Sequence, residues 1–206
     1  MALATDSRFR VHHALRIKGF VKVEPLAELA GVSAAEVETQ LKALEADGFA
    51  AFKEARGLWQ LTKDGREAHG AALEADNNRP GFREGLAASY HAFLELNEEF
   101  KALCGDWQLK DGAPNDHSDK AYDRAVIDRL GSIDDRARPL CESMGEAVER
   151  FNNYAPRLVE CRAALENGND KMFTGVMCGS YHDVWMELHE DLILSQNIDR
   201  AAEGSF

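Results

Sequence analysis

Residues 24–62, EPLAELAGVSAAEVETQLKALEADGFAAFKEARGLWQLT, decide the fold of the first third of this chain. Pro25 opens a short helix, PLAELA, and Gly31 closes it. Ser33 is a good N-cap, and Glu36 three residues later completes a capping box. The helix that follows carries Val37, Leu41 and Leu44 on one face, and Gly48 ends it. Two strand-like runs, FAAFKE and GLWQLT, then flank Ala55-Arg56-Gly57, which predicts a hairpin with a small wing.

Working outward, SRFRVHHALRIKGF places Phe9, His13, Ile17 and Phe20 on a helical stripe, with Ser7 as cap and Gly19 as stop. Val21-Lys22-Val23 reads as a short extended piece. Downstream, Thr62 caps a last helix, KDGREAHGAALEAD. The order helix, short strand, helix, turn, helix, hairpin, helix resembles the winged-helix modules of MarR-like bacterial regulators, carried by LAELAGVSAAEVETQLKALEADGFA and GLWQLTKDGRE. The expected first domain is residues 1–78.

A groove-reading helix presents Arg, Lys, Asn or Gln near its N-terminal half. This one presents Glu36, Glu38, Thr39, Gln40 and Lys42, with Glu45 behind, and the wing offers only Lys53 and Arg56. Arg8, Arg10, Arg16 and Lys18 sit on the first helix, which normally packs. Docking of a protein partner is therefore preferred over DNA binding.

The net charge of −12 is unevenly placed: residues 7–78 hold 10 Lys and Arg against 11 Asp and Glu, and residues 79–206 hold 14 against 24. An acidic second half repels phosphate backbones. Cys104, Cys141, Cys161 and Cys178 form no CxxC pair, which points to reduced thiols. No apolar run approaches a membrane span, and MALATDSRFR lacks a signal-peptide core, so no membrane association and a cytoplasmic location are expected.

Asn77-Asn78-Arg79-Pro80-Gly81 reads as a boundary. Residues 79–206 are expected to form an antiparallel helical bundle, making the chain mainly α. Helices are predicted over 82–103, 120–130, 132–153, 156–166 and 170–195. The segment 105–119, GDWQLKDGAPNDHSD, is long for a bundle connection and concentrates Trp107, Asp116, His117 and Asp119, with Tyr122 on the next turn. The last helix, SYHDVWMELHEDL, aligns His182, Trp185 and His189, with Tyr181, Val184 and Leu188 beside them on the core-facing stripe. His182 and His189 lie two turns apart, further than a chelating i, i+4 pair, and no metal site is assigned. Aromatic walls with three histidines describe a small-molecule pocket with proton-transfer groups. His117 and His182 are the candidate catalytic bases. Trp107, Asp116, Asp119, Tyr122, Tyr181, Trp185, Glu187 and His189 are the candidate substrate-binding residues.

The strings LNEEFKALCGDWQLKDGAPNDHSDKAYD (96–123) and GSYHDVWMELHEDLI (179–193) resemble a helical region that accompanies PEP-synthase/pyruvate phosphate dikinase-like phosphotransferases. A winged-helix segment often precedes that region. Relatives in this group phosphorylate phenolic compounds or antibiotics with ATP and a phosphohistidine on a mobile domain. This chain has no Gly-rich ATP-grasp region and no Thr/Ser-His-Ala string. The resemblance thus implies a non-autonomous subunit that orients a small phenolic or aromatic phosphoryl acceptor. No cofactor is expected on this chain; ATP, Mg and the phosphohistidine would lie on a dikinase-like partner chain. The alternatives are a ligand-responsive MarR-like transcriptional regulator, which would bind DNA, and a pure scaffold.

Overall fold

The computed structural model describes residues 1–198; residues 199–206, the tail of the expected second domain, lie outside the described residues. The chain is mainly helical with a small antiparallel sheet. The first part runs α1 (Ser7–Lys18), β1 (Phe20–Val21), α2 (Val23–Ala30), α3 (Ala34–Ala46), β2 (Ala50–Lys53), β3 (Leu58–Leu61) and α4 (Lys63–Asn77). The strands pair in the order β1-β3-β2, with Val21 and Phe52 both opposite Trp59. Then follow α5 (Phe82–Gln108), a two-residue hairpin of β4 (Leu109–Lys110) and β5 (Ala113–Pro114), α6 (Lys120–Ala147), a 3-10 turn (Glu149–Asn153), α7 (Tyr154–Glu166), α8 (Lys171–Thr174) and α9 (Tyr181–Gln196). Among the described residues no helix is long and apolar enough to cross a membrane.

The helix ends follow side-chain chemistry. Ser33 accepts from the Glu36 amide and Thr62 from the Gly65 amide, each worth about 1 kcal/mol. The capping box is half formed, because the Glu36 carboxylate accepts from Ser7 and Gln40 instead. That engagement leaves Asp6, not Ser7, as the cap of α1, accepting from the Phe9 amide. Phe20 leaves the predicted helical stripe, since Gly19 at φ 74° turns the chain into β1, where Phe20 is exposed. The second helix begins at Val23, two residues before Pro25, because proline is tolerated throughout a helix's first turn.

Three boundaries in the second part differ from expectation. The helix predicted over 120–130 and most of the one predicted over 132–153 are one element, α6, which passes through Gly131 and Pro139 and ends at Ala147, with a 3-10 turn over Glu149–Asn153. A Cβ at Gly131 would stand 3.0 Å from the Arg162 guanidinium, so this glycine makes room for a side chain and does not end the helix. The segment 170–195 is broken by an irregular stretch between α8 and α9. The expected loop 105–119 begins later, because Trp107 is 4 % exposed and its burial extends α5 to Gln108.

One contiguous apolar cluster joins Val11, Leu15, Leu26, Leu41 and Leu44 of the first part to Phe82, Phe93, Phe100, Met144, Leu158, Trp185 and Leu188 of the second. The predicted boundary at 77–81 is thus a turn over a shared core. Fixed backbone contacts shape that core as well. A Cβ at Gly65 would come 1.9 Å from the Phe49 carbonyl, so α4 meets the start of the hairpin backbone to backbone. Gly65→Ala is expected to destabilise the protein by about 3 kcal/mol through overpacking. Gly70→Ala, with open space around it, is expected to stabilise by up to about 1 kcal/mol. Urea unfolding of the two variants checks both signs.

Candidate functional site

The residues singled out in 105–123 gather at one end of the helical part. Asn115 ties the segment down: its side-chain amide reaches the Trp107 carbonyl at 3.0 Å and Asp123 Oδ1 at 3.1 Å, and its Oδ1 accepts from the His117 amide at 3.1 Å. His117 takes a left-handed backbone, φ 57°, and lays its ring against Trp107 with centroids 4.5 Å apart. Its Nδ1 lies 3.1 Å from Asp123 Oδ1. A carboxylate there selects the Nδ1–H tautomer and leaves Nε2 as the basic nitrogen. The His117 side chain is 35 % exposed and that of Asp123 only 5 %. Burial opposes the charge on Asp123, but the hydrogen bonds from His117 and Asn115 outweigh it and hold the carboxyl below the usual range. Among the described residues its Oδ2 accepts no hydrogen bond; Lys120 Nζ stands 3.6 Å away.

The neighbouring candidates frame this dyad. Asp119 caps α6, accepting from the amides of Ala121 and Tyr122, and pairs with Lys110 at 2.7 Å. Asp116 is exposed and accepts from the Ser118 amide. The Tyr122 hydroxyl donates to the Asp106 carbonyl at 2.8 Å, and Lys110 sits over its ring.

The α9 candidates are placed differently. Trp185 is fully buried and donates from Nε1 to Asn97 at 2.9 Å. Tyr181 is fully buried and donates to Asp134 at 3.1 Å. His189 is 5 % exposed and tilts against Phe93. These three are buried side chains packed against α5 rings, Trp185 and His189 on Phe93 and Tyr181 on Phe100. His182, half-buried on the first turn of α9, approaches Phe100, and among the described residues its Nδ1 has no hydrogen-bond partner. Burial depresses its basicity. From His117 to His182 the path runs through the rings of Trp107, Phe173 and Phe100. Glu187 faces away from this path. It is paired with Arg157 at 2.6 Å and with Lys18 of α1, and so serves the contact between the two parts of the chain.

That contact contains a polar network that sequence reading missed. Asp191 on α9 is 2 % exposed. Its Oδ1 accepts from His13 Nε2 at 2.9 Å, Ser195 at 3.0 Å and Arg150 Nε at 3.2 Å, and its Oδ2 accepts from Tyr154 at 3.0 Å. Arg150 also pairs with Asp76 at 2.7 Å and lies over the rings of Phe9, Phe82 and Phe151. His13 Nδ1 meets His69 Nε2 at 2.9 Å, and His12 donates to the Gly65 carbonyl at 2.8 Å. Burial opposes charge on Asp191, yet Arg150 and His13 hold its carboxyl well below the usual range. Burial, followed by the neighbouring His13, His12, Arg16 and Arg150, pushes His69 down to about 2. The signal available in the sequence was the pair His12-His13 on the buried stripe of α1.

Among the described residues no group of three or more His, Cys, Asp or Glu is placed to hold a metal ion. Comparison with protein families, curated proteins and solved structures finds no match to this chain.

The linkage of His69 has a defined sign. Its folded value lies below the ordinary 6.5, so below that pH the unfolded chain takes up a proton that the folded chain refuses. Stability is therefore complete above about pH 7 and falls as the pH drops. At pH 5 the loss is about 2 kcal/mol from this residue. Urea midpoints at pH 7.5 and pH 5.0 measure it, and His69→Gln is expected to flatten the dependence. A midpoint unchanged between the two pH values in the unsubstituted protein would contradict the assignment.

Proposed function

We propose that the chain is a non-autonomous module of an ATP-dependent, dikinase-like phosphotransferase that binds and orients a small phenolic or aromatic phosphoryl acceptor. In this reading ATP, Mg and the phosphohistidine belong to a partner catalytic chain. Residues 1–78 act as a winged-helix module and residues 79–206 as a helical bundle that carries the acceptor site. The observation that carries the reading is the His117–Asp123 dyad, with the His117 ring against Trp107.

The chemistry suits such a transfer. An acceptor ring rests against the exposed part of His117, whose ring is backed by the buried Trp107. Its hydroxyl proton passes to His117 Nε2, and Asp123 stabilises the imidazolium that forms. The acceptor oxygen then bonds to phosphorus, while the bond from phosphorus to the partner's histidine nitrogen breaks and its electron pair returns to that nitrogen. Positioning and charge placement dominate such a transfer. His182 ranks second as a base, since its Nδ1 is buried and burial lowers its basicity. Asp116 and Asp119 flank the dyad and hold the loop.

The regulator alternative rests on the resemblance of the element order to MarR-like winged helices, with which the β1-β3-β2 sheet is compatible. Against it, the bases of α1 are engaged within the chain: Arg8 with Asp47, Arg10 with Glu149 and the Ala30 and Gly31 carbonyls, Arg16 with Glu190, and Lys18 with Glu187. The exposed face of α3 is acidic. These placements favour protein docking over a phosphate clamp.

Co-purification with a dikinase-like chain, followed by ATP-dependent phosphorylation of a panel of phenols, tests the proposal. His117→Ala is expected to lower kcat by about 100-fold or more with KM little changed, and Asp123→Asn by about 10-fold or more. Full activity in both variants would remove the dyad from the mechanism. Salt-dependent binding to a specific duplex, with no phosphotransferase activity, would favour the regulator.

A further inference from the structure

A concave feature lies away from His117, between α6 and the segment formed by the 3-10 turn and α7. It is a cleft of about 450 Å³ bordered by Arg138, Cys141 and Glu142 on one side and by Asn152, Ala155, Pro156, Val159 and Glu160 on the other. Its floor is apolar. Cys141 and Ala155 are buried, and Val159 is 44 % exposed, high for an aliphatic side chain. Burial pushes the Cys141 thiol up to about 12, so it lines the floor as a neutral group.

The charges around the cleft are not balanced within the chain. Arg138 is already engaged by Asp134 at 2.9 Å and Asp135 at 3.0 Å. Glu142 and Glu160 stand on opposite walls and have no ion-pair partner among the described residues. The free charge facing the cleft is therefore negative on both sides of an apolar floor.

Size selects the kind of occupant. The walls run over residues 138–142 and 152–160, about 7 Å and about 13 Å along the chain at helical rise. That is too short for a docked helix to bury the roughly 800 Å² per partner of a stable interface. The volume falls within the roughly 300–1,000 Å³ of small-ligand sites.

We propose that this cleft binds a small organic cation, a primary amine on an aromatic or aliphatic body, with the ammonium between Glu142 and Glu160 and the body on Ala155 and Val159. The site stands independently of the phosphotransfer reading, since none of its residues belongs to the His117 end.

Titration of the full chain with 2-phenylethylamine, followed by NMR shifts of backbone amides, tests it. Saturable binding with Kd of about 1 mM is expected for a probe of this size, with shifts centred on 138–142 and 155–160. The matched neutral 2-phenylethanol and the anionic 3-phenylpropionate are expected to bind at least about 5-fold more weakly. The double variant Glu142→Gln, Glu160→Gln is expected to lose at least about 5-fold in affinity for the amine at unchanged Tm, since both carboxylates are exposed and unpaired. Val159→Arg supplies an internal cation and is expected to abolish binding. Equal binding of the alcohol or the acid, shifts elsewhere, undiminished binding in the double variant, or no binding of the amine would each overturn the proposal.

Discussion

A single buried carboxylate, Asp191, holds the two parts of this chain in register. It sits on α9, and its donors come from α1, the 3-10 turn, α7 and α9 itself. An isolated charge with so little exposure is too costly to keep, so its presence demands that every one of those donors arrive together. Arg150 extends the requirement to α4 through Asp76. Such a node contributes little net stability compared with an apolar replacement, but it penalises any arrangement in which one partner is displaced. The apolar cluster supplies the bulk of the stabilisation, and the Asp191 network specifies which faces meet.

The same arrangement explains how charge is distributed over the molecule. The cations of α1 turn inward to Glu187, Glu190, Glu149 and Asp47, leaving α3 and the second part with an excess of exposed carboxylates. A surface of this kind repels polyanions and welcomes cationic partners. Meanwhile the seam of rings from Trp107 through Phe173 and Phe100 to Trp185 makes a stiff floor beneath the His117 loop. A histidine held by a carboxylate on a rigid element is better placed for proton transfer than one on a mobile connection. The fixed orientation of His117 therefore depends on the packing below it as much as on Asp123.

Local signals in the sequence were read well and long-range ones poorly. Ser33, Thr62, Gly19 and Gly31 act where capping chemistry puts them, since a cap depends on neighbours three or four residues away. The concentration of Trp107, His117 and Asp119 in one segment was legible for the same reason. The predicted break between 130 and 132 does not occur, and Gly131 at that point admits Arg162, a residue on another helix. Trp185, Tyr181 and His189 looked like pocket walls because helical spacing shows which residues share a face, not whether that face meets a ligand or a neighbouring helix. Asp123 was absent from the candidate residues, since its value lies in a contact with His117 that only the turn between them creates. The pairing of His13 with Asp191 spans most of the chain, and no local pattern encodes it.

A double-mutant cycle on His13→Ala and Asp191→Asn, read by urea unfolding at pH 7.5, measures the Asp191 constraint directly. If the carboxylate and the imidazole hold the two parts of the chain together, each single substitution destabilises by roughly 3 kcal/mol and the pair couples by about 1.5 kcal/mol or more. Additive effects, with coupling within about 0.5 kcal/mol of zero, would contradict it.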